Sequence, residues 1–214
     1  MIFIDDDEVP CDIWAAMLYE KITSENMDAV IGPVYPILTM DMPIWIKNEV
    51  NKKRAFIREG NNSIYTGNTI IRMRSIDGIY FDKNFDVYGG EDVQFFKMMK
   101  LKGNDKIGFE IKAKAYEHMP INRTKLNYFV KRAYNSGISD VIAEKSNSNI
   151  KYNIKVFIKG LYNIIAGLFL LLISLPLGIN KKRIALCTIS RGLGRIYAVF
   201  CIRYYKSLNL NFKE

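Results

Sequence analysis

The stretch Ile2-Phe3-Ile4-Asp5-Asp6-Asp7-Glu8 decides the reading of this chain. Three apolar residues read as a short buried strand, and four consecutive acids follow at its end. Carboxylates this close repel one another, and buried charge is costly unless it is paired or bound to metal. Oxygen donors at this density suit a hard divalent cation. A strand ending in carboxylates also fits the rule that open α/β sheets bind ligands beyond the carboxyl ends of their strands. The competing reading is a solvated acidic turn, in which an Asp caps a helix beginning near Pro10.

Outward from that run, residues 11–25 read as an amphipathic helix with Ile13, Met17, Leu18 and Ile22 on one face. Met27 to Val34 reads as a second buried strand closed by Gly32-Pro33. Residues 35–62 read as irregular, with a basic cluster at Lys52-Lys53-Arg54. Thr66-Gly67-Asn68 is a turn signal ahead of a strand-like Thr69-Ile70-Ile71. Gly89-Gly90 opens a helix over Glu91 to Lys102, with acids in its first turn and lysines toward its end, as the helix dipole favours. Ile107 to Tyr116 reads as a strand. Arg123 to Glu144 reads as a long basic helix interrupted near Gly137. The pattern predicts an α/β fold with a mixed sheet and flanking helices.

Charge divides the chain. Residues 1–100 carry 11 Lys/Arg against 16 Asp/Glu, whereas residues 101–214 carry 20 against 6. A basic half fits nucleic acid or an anionic membrane face. Residues 160–179 hold no charge and are long enough to cross a hydrocarbon core. Ile184 to Tyr205 is apolar too, but it carries Arg191, Arg195 and Arg203 at roughly helical spacing, as an interfacial helix does. The expectation is a helical hairpin lying on the membrane, with a single span and a buried soluble pair as alternatives. The basic residues flank apolar segments rather than exposed aromatics, which speaks against nucleic acid. Cys11, Cys187 and Cys201 have no zinc or disulfide spacing and fit a reducing compartment.

A second acidic signal is Gly89-Gly90-Glu91-Asp92. Glycines then acids make a good helix start, and equally a carboxylate poised to take a proton from a hydroxyl. His118, the single histidine, follows a strand and precedes Pro120. Its place allows it near Asp7, or simply on the surface.

Taken in order, these pieces resemble the family 2 glycosyltransferases of GT-A fold, closest to the bacterial enzymes of exopolysaccharide and surface-glycan synthesis. The resemblance rests on Phe3-Ile4-Asp5-Asp6-Asp7-Glu8-Val9-Pro10, Gly32-Pro33-Val34, Thr66-Gly67-Asn68, Phe81-Asp82-Lys83-Asn84-Phe85, Gly89-Gly90-Glu91-Asp92-Val93-Gln94-Phe95-Phe96, and Glu117-His118-Met119-Pro120 with Arg123. It covers residues 2 to about 140.

The resemblance implies a partial GT-A (Rossmann-like) domain over residues 1–145 and a membrane-associating helical region over 146–214. It implies an inverting, metal-dependent transfer from a nucleotide-sugar donor to a glycan or lipid-linked acceptor, at the cytoplasmic face of the membrane. Asp5 and Asp7 would match the Asp-x-Asp motif that holds Mg²⁺ or Mn²⁺ against the donor diphosphate, with Asp6 between them. Asp92 would be the general base, and Glu91 would orient it or bind the acceptor. Thr66, Gly67 and Asn68 would line the acceptor side. His118 would be a further metal or diphosphate ligand, and Arg123 would contact phosphate. Family members carry a nucleotide-gripping half ahead of the Asp-x-Asp strand, and this chain opens at that strand. A separately encoded N-terminal half is therefore an expected partner, and weak or no activity is expected of the chain alone. The alternatives are a non-catalytic remnant or accessory subunit that binds glycan or membrane, and a different Mg²⁺ enzyme such as a phosphatase.

Overall fold

A computed structural model describes residues 1–37, 39, 42–58, 65–85, 87–143, 150–174 and 179–202, without the side chains of 52–58, 84, 201 and 202. Arg203 and the basic side chains of 52–54 therefore lie outside the described residues. The chain is mixed α/β and divides into two compact units. One comprises Met1–Asp82 with Glu91–Thr124, the other Lys83–Gly90 with the chain from Lys125 onward. The division between these units follows Thr124, whereas the sequence reading set a boundary at 145. The cause is a long helix at 126–143 that packs with the C-terminal helices.

In the first unit, strands β1 (Ile2–Phe3), β3 (Ala29–Ile31), β5 (Thr69–Ile71) and β6 (Ile107–Phe109) form one sheet in the order β1-β5-β3-β6. Strands β2 (Glu8–Pro10), β4 (Val34–Ile37) and β7 (Ala115–His118) form another in the order β2-β7-β4. Both are mixed: β3 runs parallel to β6 and β4 to β7, and the other pairings are antiparallel. All three residues of β3 are buried, as expected of a strand covered on both faces.

Three times the chain leaves the first sheet and enters the second. It crosses from β1 to β2 through the acidic run, from β3 to β4 through Gly32-Pro33, and from β6 to β7 through residues 110–114. The continuous strands expected over 27–34 and 107–116 are therefore each two strands in different sheets. At the first break Pro33 has no N–H for the ladder, and a Cβ on Gly32 would run into the Ala113 carbonyl and the Asn68 side chain. At the second, Lys112 N–H turns back to the Glu110 carboxylate at 2.9 Å.

Helices α1 (Trp14–Ser24) and α3 (Glu91–Leu101) stand close to their expected positions. Leu18 and Ile22 of α1 pack with Val30 and Ile70, and Phe95, Phe96 and Met99 of α3 pack with Ala29 and Ile71. The segment expected to be irregular contains β4 and the helix α2 (Ile44–Arg58), so that expectation is corrected.

The second unit is built of α4 (Leu126–Ala143), α5 (Ile150–Ser174) and α6 (Ile179–Tyr197). Helix α4 continues through Gly137 without a break. A Cβ there would strike the Arg191 carbonyl, and one on Gly194 would strike the Tyr134 carbonyl. These glycines let two backbones meet; they do not interrupt a helix. Gly160 of α5 and Gly192 of α6 face one another in the same way. The hairpin expected of α5 and α6 is present, but Arg195 of α6 is buried rather than set on an outward polar face, while Arg191 is exposed. Arg191 and Arg195 both bind Asp140 of α4, and Arg195 is 7% exposed. Helix α5 is long and apolar enough to cross a membrane, with 17% of its most apolar window buried.

Candidate active site

The acidic run turns where the chain crosses between the two sheets. The Glu8 N–H returns to the Asp5 carbonyl at 3.1 Å, and His118 N–H reaches the Asp7 carbonyl at 3.2 Å. This turn brings β2 alongside β7 with Glu8 opposite Glu117. Like charges directly opposite on neighbouring strands oppose the pairing.

Arg123, on the short 3₁₀ turn after β7, meets that charge. Its guanidinium lies 2.7 Å from Glu117 and 3.2 Å from Asp7. Beneath the carboxylates runs Gly67. A Cβ at that position would stand 2.8 Å from Glu8 Oε1 and 3.0 Å from Asp5 Oδ2. A bare backbone there gives the acids their room.

The electrostatics record the crowding. Burial raises the Asp5 carboxyl above its ordinary range, and Asp7, Glu117, Asp6 and Asp92 push it in the same direction. Burial likewise pushes Glu8 up to about 7, with Asp5 the next contributor. Tyr65, whose hydroxyl donates to the Gly32 carbonyl at 3.2 Å, is raised to about 12 by burial, with Glu8 adding to it.

The residues singled out from the sequence separate into three groups. Asp5, Asp6, Asp7 and Asp92 share one electrostatic neighbourhood, although Asp92 comes from the first turn of α3. Its Oδ1 accepts from the Val93 N–H at 2.7 Å, and Glu91 beside it is half-buried. Gly67 lines the cluster and Thr66 is half-buried next to it.

Asn68 has a different task. It is wholly buried, and its Nδ2 donates to the Ala113 carbonyl at 2.7 Å and to the Pro33 carbonyl at 3.2 Å. It thereby ties two of the sheet crossovers together. Its φ of +49° is one that asparagine tolerates better than most residues.

His118 is exposed, and its recorded link to the cluster is its backbone N–H. Among the described residues, no three His, Cys, Asp or Glu side chains converge as a metal cage. The structure thus does not group the His118 imidazole with Asp5 and Asp7.

Glu8, Glu117 and Arg123 are the members that sequence reasoning underweighted. Alternation in Ala115-Tyr116-Glu117-His118 puts Glu117 on the face opposite His118, so choosing the histidine chose the other side of the strand.

The donors at this turn are of the type a hard divalent cation takes, although they do not converge as a cage among the described residues. They are carboxylate oxygens, and Asp5 and Glu8 are driven toward their neutral forms by burial and repulsion that a cation would relieve.

The sequence matches no family model. It is similar to the succinoglycan biosynthesis protein ExoM of Rhizobium meliloti (strain 1021), with 30% identity over 153 residues. That alignment takes in 69% of this chain and 49% of ExoM, so the chain spans about half the length of this relative.

Proposed function

We propose that this chain carries the catalytic acids of a membrane-associated glycosyltransferase of exopolysaccharide synthesis. The observation behind it is that Asp92 is the last and smallest of the charges that raise the Asp5 carboxyl, which supports a shared site for the two acidic motifs. The likeness to a succinoglycan biosynthesis protein supports the same reading. The substrates are a nucleotide-sugar donor and a glycan or lipid-linked acceptor.

Mg²⁺ or Mn²⁺ held by Asp5 and Asp7, with Glu8 beside them, would neutralise charge gathering on the leaving diphosphate. Asp92 takes the proton from the acceptor hydroxyl as that oxygen attacks from the face opposite the leaving group, which inverts the anomeric carbon. Glu91 orients the acceptor or the base, and Gly67 keeps the floor of the site open. Arg123 offsets the charge of Asp7 and Glu117 and would contact a phosphate oxygen.

Transfer by the native protein, assayed over a panel of nucleotide sugars, tests this. Asp92→Asn should lower turnover about 10²- to 10⁴-fold while donor affinity stays within about threefold. Turnover within about tenfold of wild type removes Asp92 as the base.

A second reading, a non-catalytic accessory subunit, draws on the Arg123 contact with Asp7. There a built-in cation already occupies one acid of the pair. On that reading no donor is turned over by any variant, and Arg123→Gln impairs folding alone.

A further inference from the structure

We propose that α5 lies flat in one leaflet of a bilayer, its exposed apolar face against the acyl chains, and does not cross. This geometry rests on the membrane association proposed above.

The apolar face is continuous. Ile158, Leu161, Ile165, Leu168, Phe169 and Leu172 recur along one side of α5, and each is at least 40% exposed. Gly160 and Gly167, on the other side, meet α6. Lys151, Lys155 and Lys159 are exposed one helix turn apart over the first part of the helix, and Tyr162 is exposed after them. An apolar stripe with cations and a tyrosine at its margin suits the boundary between acyl chains and anionic headgroups.

Length alone lets α5 cross a bilayer; its packing does not. Helix α6 runs back along it, with Gly192 against Gly160 and Asn163, and Ala185 and Ile189 against Gly167. Whatever depth α5 takes, α6 takes with it. The uncharged run of α6 covers residues 184–190 and is bounded by Arg183 and Arg191. Those arginines stand about 12 Å apart along the helix axis, against a hydrocarbon core about 30 Å thick. An upright pair therefore puts charge deep in hydrocarbon wherever its height is set.

Helix α4 adds to that cost. It packs on α6 through Gly137 and Gly194, and its Val130 carbonyl accepts from Ser190 Oγ at 2.8 Å. Lys131 and Arg132, next along α4, are exposed. Crossing would carry them into hydrocarbon as well. In a flat helix, depth depends on which side a residue occupies and not on its height along the axis. The stripe of α5 then sinks about 5–10 Å to the acyl boundary, and charges on other sides of the helices reach headgroups or water.

The depth of spin labels reads the geometry. Full-length protein with Cys11→Ser, Cys187→Ala and Cys201→Ser would carry one label at Ile158→Cys, Ile165→Cys or Leu172→Cys. The vesicles are phosphatidylcholine with one fifth phosphatidylglycerol. All three positions are exposed, so labels there spare the packed side of the helix. A flat helix puts the three labels within about 5 Å of one depth. A crossing helix separates successive sites by about 10 Å, and that spread overturns the flat geometry alone. Labels that stay in water, with no protein on the vesicles, overturn the membrane association too. Phe169→Glu/Leu172→Glu should lower vesicle binding at least about tenfold. A dimer that forms without vesicles and is lost in this double variant, with vesicle binding unchanged, overturns lipid as the occupant in favour of a second copy.

Discussion

Glu8 faces Glu117 across the antiparallel pairing of β2 and β7, with Arg123 bound to Glu117 and to Asp7. Two acids in register should separate the strands, and one guanidinium bridging the far side holds them together. The nearer carboxyls, Asp5 and Glu8, bear the unrelieved share of the repulsion.

That share has a pH signature. Glu8 has its pKa raised from 4.5 to about 7 in the folded protein. The folded state therefore holds the proton more tightly than the unfolded chain, and the stability this gives is full below about pH 4.5 and lost as pH rises through about 7. The melting temperature should fall across that window at low ionic strength without divalent cation, and Glu8→Gln should flatten the fall. Differential scanning fluorimetry at a series of pH values reads both. An unchanged slope in Glu8→Gln would show that Glu8 is not the group responsible.

The same protons compete with a cation. Mg²⁺ or Mn²⁺ at millimolar concentration should raise the melting temperature more at pH 8 than at pH 6, because below about 7 Glu8 tends to be protonated, and Asp5 beside it is raised in the same direction. Gly67→Ala should abolish that gain while leaving the apo protein folded. Its methyl group displaces the ends of two flexible acids and no backbone. A Gly67→Ala protein that keeps the full cation response would remove the cluster as the cation site.

Asn68 acts on the frame instead. Asn68→Ala strands the Ala113 and Pro33 carbonyls that its amide serves and puts a β-carbon residue without polar compensation at φ +49°. The expected loss is about 3 kcal/mol, read by urea unfolding, with no recovery on adding cation. A loss under about 1 kcal/mol, within the range of an ordinary surface change, would show that the crossovers do not depend on it.

Legibility in the sequence followed how local each signal was. The acidic run, the start of α3 and the strand at Thr69 could be read because the signal and its consequence lie within a few residues. The split of 27–34 and 107–116 into strands of two sheets could not. Gly32-Pro33 reads as a strand end, and no local feature says that another strand begins at Val34 in a different sheet. Glu117 was passed over for a similar reason. Its importance comes from its register with Glu8, which is a property of pairing across more than a hundred residues. Gly137 misled in the opposite direction, since a glycine in a helix is read as a break until the backbone of a second helix is seen against it.

Asp140 offers the clearest test of the helical unit. It is the carboxylate that two arginines share, and Arg195, 2.6 Å away, is almost fully buried. Breaking a buried pair by removing one partner leaves a charge with poor solvation, which costs more than the pair contributed. Asp140→Ala should therefore destabilise the unit by about 3 kcal/mol, measured by thermal unfolding in mild detergent. Adding Arg195→Leu to Asp140→Ala should return much of that loss, because the stranded charge is gone. If the double variant is as unstable as the sum of the two single ones, Asp140 and Arg195 act independently, and the packing of α4 on α6 rests on Gly137 and Gly194 instead.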